Sequence, residues 1–362
     1  MFADMPKNKL KTRVFVAMSG GVDSSVAAAL LKKAGLDVHG IHIKMWSDPS
    51  VPCLFKEDRL EAMRAAAHLG IPFETWDLTK EYRKAVVDYM IREYKAGHTP
   101  NPDVMCNKEI KFGVFLKRAL ERGADFVATG HYVRLRRKFQ IPNSKFQIFR
   151  AKDVNKDQSY FLWTLTQNQL RHCLFPVGDY TKPQVRKLAK KLGLPNAEKK
   201  DSQGICFIGE IDVREFLKKF IPSRPGIIRT TKGKVIGKHE GLAFYTIGQR
   251  QGLGIGGGIP YYVAAKDFKK NELIVAVGPY DEKLFSKELT ATDINWISGK
   301  EPKFPLKCKA RIRYRQPLQN CRVKKTGKRI KVIFTKLQRA VTPGQSIVFY
   351  KGQEMLGGGV IE

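Results

Sequence analysis

The sequence predicts an α/β protein: a doubly wound, parallel-sheet nucleotide-binding domain, then a small β-rich central domain, then a C-terminal β-barrel. Three observations carry this. Strand and helix periodicities alternate through the first part of the chain, as in βαβ units. The alternation stops near Gly209 to Val213, where Gly, Pro and β-branched residues take over. From Asp281 onward only short strand patterns remain, and such strands need closure to hide their edges. The expected domains are 1–212, 213–280 and 281–362.

In chain order, Val14-Phe15-Val16-Ala17-Met18 is an apolar run that reads as a buried parallel strand. It runs into Ser19-Gly20-Gly21-Val22-Asp23-Ser24-Ser25, after which Ala27, Leu30 and Leu31 mark one face of a helix. Strands at 38–43, 72–78 and 125–129 and helices at 58–69, 80–94 and 108–122 continue the pattern. Ligands in such sheets gather beyond the C-terminal strand ends, so the loop at Ser19, the turn at Met45 and the turn at Gly130-His131 should share a crevice. Alternating residues from Tyr132 to Arg150 predict a hairpin turning at Pro142-Asn143-Ser144. Residues 182–192 read as a surface helix. The glycine run 252–258 precedes no helix, which makes it a turn and not a nucleotide loop. Barrel strands are expected at 307–315, 321–325, 329–334 and 346–350.

Composition excludes several classes. Within 362 residues, 43% hydrophobic, no apolar run is long enough to span a bilayer. The N-terminal segment has charge but no apolar core of an export signal, so a cytoplasmic protein is expected, with no membrane partner. Six cysteines without a CxxC pair argue for a reducing compartment and against structural zinc. The excess of 66 Lys and Arg over 34 Asp and Glu, a net charge of +32, points to a polyanionic partner. Between Pro302 and Ala340 there are fourteen Lys or Arg and no acid. Lys307, Lys309, Arg311, Arg313 and Arg315 recur at period two, which predicts one basic strand face suited to a phosphate backbone.

The loop at Ser19 has the ingredients of an anion site. Two glycines admit close backbone approach, the first helical N–H groups face outward, and three serines and an Asp can touch phosphate or its metal. No Gly-Lys-Ser/Thr follows, so Walker-type chemistry is excluded. Two cysteines stand apart from the rest. Cys106 follows the double-proline stretch Thr99-Pro100-Asn101-Pro102-Asp103, just ahead of the expected helix, where a thiol is biased toward thiolate. Cys206 lies in Asp201-Ser202-Gln203-Gly204-Ile205-Cys206-Phe207-Ile208. Cys53, Cys173, Cys308 and Cys321 read as inert small apolar residues. Asp103, Cys106 and Cys206 could serve sulfur chemistry or ligate an iron–sulfur cluster, and the residues alone leave both open.

The stretch SGGVDSS resembles the pyrophosphate loop of ATP pyrophosphatases, the PP-loop superfamily. With TPNPDVMCNKEIKFG, ATGHYVR, KDQSYFLW, DSQGICFIG, YTIGQRQGLGIG, ARIRYRQ and PGQSIVFY in this order, the chain resembles the bacterial and organellar tRNA-specific 2-thiouridylases, the MnmA/TrmU family, from residue 13 to the end. The resemblance implies ATP-dependent replacement of oxygen by sulfur at C2 of the wobble uridine, U34, in tRNAs for Lys, Glu and Gln. It implies ATP with Mg2+ at Ser19, Gly20, Gly21, Val22, Asp23, Ser24 and Ser25, with Met45 and Gly130 on the adenine side. It implies a persulfide on Cys206 loaded by a sulfur-relay donor protein, a resolving Cys106, a transient Cys106–Cys206 disulfide, and Asp103 moving protons. The target base would meet Asn101, Pro102 and Asp103, and the anticodon stem-loop His131, Lys156, Asp157, Gln158, Arg313, Tyr314 and Gln345. A monomer is expected. Another ATP pyrophosphatase acting on a different carbonyl needs neither the paired cysteines nor a basic barrel, and a non-catalytic RNA-binding protein would not keep Asp23, Asp103 and both cysteines.

Overall fold

Strand β1 (Arg13–Ala17) sets the frame of the first domain, because its two faces feed two different cores. Phe15 packs with Ile41, Trp76 and Phe115, while Val14 and Val16 pack with Leu31, Ala62 and Ala128. The computed structural model describes residues 12–48, 55–137, 145–200, 212–256 and 258–362. Strands β2 (Asp37–Lys44), β3 (Phe73–Asp77) and β4 (Phe126–Ala128) follow, then the hairpin β5 (Val133–Arg136) and β6 (Gln147–Arg150), then β7 (Cys173–Leu174). All but the hairpin form one parallel sheet ordered β3-β2-β1-β4-β7. Helix α1 (Val22–Lys33) starts at an extended Gly21 and carries Asp23 in its first turn and Lys32 and Lys33 in its last, the arrangement a helix dipole favours. Helix α2 (Phe55–His68) covers the same side through Ala62, Ala65 and Ala66.

Two longer helices cover the opposite face. Helix α3 spans 79–95 and α4 spans 102–121, each interrupted by a π-helical stretch, at Arg83–Val87 and Cys106–Val114. Helix α4 begins six residues before the expected start at 108. Asn101 caps it, accepting from the Val104 N–H at 3.2 Å, and Pro102 occupies the first turn. Asp103 and Cys106 therefore stand three residues apart on one helix, where i and i+3 share a face. Helix α5 (Lys182–Lys191) is the surface element expected, with Gln184, Lys187 and Lys190 exposed, but its other face buries Lys182, Val185 and Ala189 against α1.

After α6 (Val213–Lys218), strands β8 (Gly226–Thr230), β9 (Val235–His239), β10 (Tyr261–Asp267) and β11 (Glu272–Val277) make a sheet ordered β10-β11-β8-β9. The last six strands are β12 (Phe285–Trp296), β13 (Leu306–Arg311), β14 (Gln319–Thr326), β15 (Arg329–Arg339), β16 (Ser346–Lys351) and β17 (Glu354–Ile361). Their order is β12-β15-β14-β13-β16-β17, and β17 pairs back onto β12, so the barrel closes. Strand β6 adds to the outside of β17, with Ile148 opposite Met355 and Phe149 opposite Glu354. The first domain thus lends its hairpin to the barrel sheet.

A buried polar seam joins the two. Asp157 is 1% exposed and accepts from Arg311 Nη2 at 2.5 Å, Arg150 Nε at 3.1 Å and the Ala151 and Ser159 N–H groups. Tyr160 OH donates to the Ser346 carbonyl at 2.8 Å and Trp163 Nε1 to Ser346 Oγ at 3.0 Å. The expected basic stripe is corrected here. β13 ends at Arg311, whose guanidinium is buried against Asp157 and the Tyr350 ring, and Arg313 and Arg315 fall in the turn beyond. Only Lys307 and Lys309 keep the exposed alternation.

Candidate active site

The phosphate loop is tied internally. Ser24 Oγ and Ser25 Oγ donate to the Gly21 carbonyl at 3.0 and 3.2 Å, and the Ser19 N–H donates to Ser24 Oγ at 3.3 Å. Gly20 takes φ +80°, and a side chain there would meet the Asp58 carbonyl oxygen at 2.3 Å, so backbone and α2 fix this residue as glycine. Gly21 differs: among the described residues a Cβ there would meet only Ser19 Oγ, at 3.5 Å, an ordinary contact. Gly130 closes the other side, since a Cβ there would fall 2.7 Å from the Ser24 nitrogen. The N–H groups of the first turn of α1 have no intrahelical partner and face this cradle. The cradle fits a pyrophosphate group. Met45, directly after β2, is half-buried against the main core.

Asp23 is held by groups that the sequence reading missed. Lys182 Nζ lies 2.7 and 2.9 Å from its two carboxylate oxygens, and Tyr132 OH donates to Oδ1 at 2.7 Å. Asn196 Nδ2 donates to the Gly20 carbonyl at 2.9 Å and to Ser25 Oγ at 3.0 Å. No local signal marks Lys182 or Asn196, because their partners lie 159 and 176 residues away.

Beside the loop, the turn after β4 leads to α4. His131 is buried, bonded through Nδ1 to Thr129 Oγ1 at 2.8 Å and set against the rings of Phe112 and Phe175. Burial holds its pKa well below the usual value, and the Lys111 ammonium adds to this, so the ring is neutral. Asp103 is half-buried; loss of water raises its pKa, and the same Lys111 offsets this in part. Lys111, also overlooked in the sequence, therefore acts on both groups. Cys106 is buried in the second turn of α4 and not in a loop before it, so the expected thiolate bias from a helix start loses its geometric basis. Cys206 lies outside the described residues, as does Cys53. Among the described residues no cluster of three His, Cys, Asp or Glu is placed to hold a metal ion.

The stretch that carries Asn101 is gripped from both later domains. The Thr99 N–H donates to the Pro343 carbonyl at 2.8 Å, and Thr99 Oγ1 bonds Thr246 Oγ1 at 3.2 Å. Gln345 Nε2 donates to the Thr99 and Pro100 carbonyls at 2.8 and 3.2 Å. Gln345 was expected to touch RNA; its amide N–H groups are spent on positioning this loop. Arg313 is likewise a strut, with Nη2 donating to the Ile247 and Ala340 carbonyls and to Thr342 Oγ1. Asp157 and His131, expected as RNA contacts, present no side chain to solvent, since the seam and the Phe112 cluster cover them. Gln158 Oε1 accepts from the Tyr132 N–H at 2.9 Å. Tyr314 is half-buried, its ring 4.5 Å from that of Phe161. Asn101 and Lys156 keep partly exposed surfaces, whereas Pro102 is buried at the start of α4.

The parallel sheet, the glycine loop without its own lysine and the helix start behind it define an ATP-using enzyme of the PP-loop class. Family models described as the tRNA methyl transferase HUP domain, the tRNA methyl transferase PRC-barrel domain and the aminomethyltransferase β-barrel domain match residues 12–210, 214–277 and 286–361. The chain belongs to the tRNA-specific 2-thiouridylase family. It is 49% identical over 362 residues to tRNA-specific 2-thiouridylase MnmA of Geobacillus thermodenitrificans (strain NG80-2), covering 99% of this chain and 96% of that protein. It is 50% identical over 360 residues to the MnmA of Shouchella clausii (strain KSM-K16), covering 98% of each. A crystal structure of a 4-thiouridine synthetase–RNA complex with bound ATP is 18% identical, with a TM-score of 0.37 over 58% of this chain and 50% of that one, a distant likeness.

Proposed function

We propose that the protein uses ATP·Mg2+ to activate O2 of the wobble uridine, U34, in tRNAs for Lys, Glu and Gln, and replaces that oxygen with sulfur. The uracil O2 attacks the α-phosphorus at the loop Ser19 to Ser25, and pyrophosphate leaves. The terminal sulfur of a Cys206 persulfide, delivered by a donor protein, attacks C2, and AMP leaves with the former O2. The Cys106 thiolate then attacks Cys206 Sγ, which breaks the S–S bond to the base, leaves the sulfur on C2 and forms a Cys106–Cys206 disulfide for an external thiol to reduce. Asp103, three residues before Cys106 on α4, takes the thiol proton; loss of water raises its pKa, which makes it a stronger base than an exposed carboxylate.

The observation that carries this reading is contiguity. Gly130 abuts the phosphate loop, the next residue His131 packs on Phe112, and Phe112 belongs to the helix that carries Asp103 and Cys106. This packing supports a reading in which nucleotide and thiol act beside one another. Exposed Lys307, Lys309, Arg322 and Lys324 on the barrel supply the RNA-facing charge. The test is to incubate the protein with unmodified tRNA, ATP·Mg2+ and a persulfide donor, and to follow 2-thiouridine by mass spectrometry. Wild type is expected to thiolate and, without reductant, to yield the Cys106–Cys206 disulfide in a peptide map. Cys106→Ser should accept labelled sulfur and stall, whereas Cys206→Ser should not accept it. Full thiolation by Cys106→Ser, or label retained on Cys206→Ser, would overturn the division of labour.

A further inference from the structure

The glycine loop contains no lysine, yet the fold brings one to it. Lys182 opens α5, with its own N–H anchored on Asp153 Oδ2 at 2.8 Å, and its side chain reaches across to Asp23 in the first turn of α1. The residue is 9% exposed. An ammonium that is so dehydrated needs an anion beside it, and here Asp23 is that anion. The Asp23 side chain itself is 30% exposed. The same chain segment supplies a second contact to the loop through Asn196, and Lys199 Nζ lies 2.6 Å from Oδ1 of Asp58, the α2 residue whose carbonyl stands behind Gly20. Asn196 Oδ1 is buried with no hydrogen-bond partner among the described residues, an acceptor left open beside the loop. Residues 181–199 are therefore a wall of the phosphate site contributed from the far end of the domain.

We propose that Lys182 binds the pyrophosphate portion of ATP, supplying from α5 the cation that other phosphate loops carry within their own sequence, with Asp23 as its counter-ion until a polyphosphate takes over that place. This rests on the ATP-using reading given above. Two negative groups then compete for one ammonium. Asp23, displaced from it, is free to turn toward the metal that accompanies the polyphosphate.

The test is calorimetric binding of inorganic pyrophosphate to the full chain without divalent metal, alongside KM for ATP·Mg2+ in the thiolation assay. Lys182→Met should weaken pyrophosphate binding by at least about tenfold, the scale of one lost charge-assisted hydrogen bond, and should raise KM for ATP more than it lowers kcat. Lys182→Arg, which keeps the charge and guards against a folding defect, should retain most of the binding. Asp23→Asn should strengthen metal-free binding, because it removes a repelling charge and releases Lys182. A purely structural ion pair makes a different prediction: the double variant Lys182→Met/Asp23→Asn would then bind pyrophosphate like wild type, whereas the assignment requires it to stay weak. Wild-type-like binding by the double variant or by Lys182→Met would overturn the role of Lys182 alone. Failure of wild type to bind either pyrophosphate or ATP would instead overturn the ATP-using reading beneath it.

Discussion

The two halves of the crevice are built by opposite means. The phosphate loop is bonded within the first domain, through serine hydroxyls that reach backbone three or four residues away and through Asn196 from the end of the same domain. The loop from Thr99 to Asn101 has its bonds supplied by Thr246 and Gln345, 147 and 246 residues downstream. The difference separates a phosphate loop that the first domain holds by itself, with Asn196 and Lys182 bonding it from the far end of that domain, from a loop whose bonds come from both later domains. Variants on either side should therefore fail in different assays.

The largest effect is expected at the seam. Asp157→Ala leaves Arg311 buried without its acid, and breaking a buried pair in this way costs about 3–5 kcal/mol; urea unfolding should show that loss, and a change under about 1 kcal/mol would mean the barrel is held by other contacts. Next in size is Gly21→Val. Its extended backbone, φ −83° and ψ 159°, accepts valine without strain, so melting should hold within about 0.5 kcal/mol while tRNA-dependent AMP release drops about 100-fold or more, equivalent to roughly 2.7 kcal/mol. Normal AMP release would reduce the loop to a turn. Gln345→Ala removes two bonds to the Thr99 and Pro100 carbonyls and should cost about 1–2 kcal/mol, with thiolation lost more than ATP binding; equal loss of both would erase the contrast between the halves.

Charge on the barrel should register in salt dependence and hardly in stability. Lys307→Ala with Lys309→Ala should flatten the plot of log K for tRNA against log salt by about 0.7–0.9 for each phosphate contact removed, and an unchanged slope would take this face out of the RNA surface. The smallest effect concerns Asp103. Because its folded pKa is raised by loss of water, the unfolded chain ionises first as pH climbs past about 3.9, so wild type loses stability between that pH and its folded pKa and does not regain it. Asp103→Asn should then be slightly more stable at pH 7, by less than about 1 kcal/mol for a residue this near the surface, with the gap closing below the unfolded pKa. A gap that persists in acid would assign the effect to packing.

Much of this was readable from spelling and period. The run Val14 to Met18, the glycine turn and the apolar face of α1 announce their neighbours within a dozen residues, and the parallel sheet follows from repeating that unit. The start of α4 was readable too: Asn101-Pro102 is a cap followed by a first-turn proline, and the double-proline pattern obscured it. Other features were not local. Period two placed Lys307 to Arg315 on one face of a strand, but nothing in that stretch says that the strand ends at Arg311 or that Asp157 covers it there. Helix α5 read as a surface element, but the inward turn of Lys182 did not show, because the residue that draws it in lies in another βα unit.

The addition of β6 to β17 has a consequence for synthesis. A ribosome releases the hairpin of residues 133–150 some two hundred residues before its partners at Met355 and Glu354, so the hairpin waits with an open edge while the rest of the chain is made. Nascent chains stopped ahead of β17 keep that edge unpaired, and an unpaired edge invites association with other chains. Completion of the last strand is thus the step at which the β6 edge of the hairpin is covered.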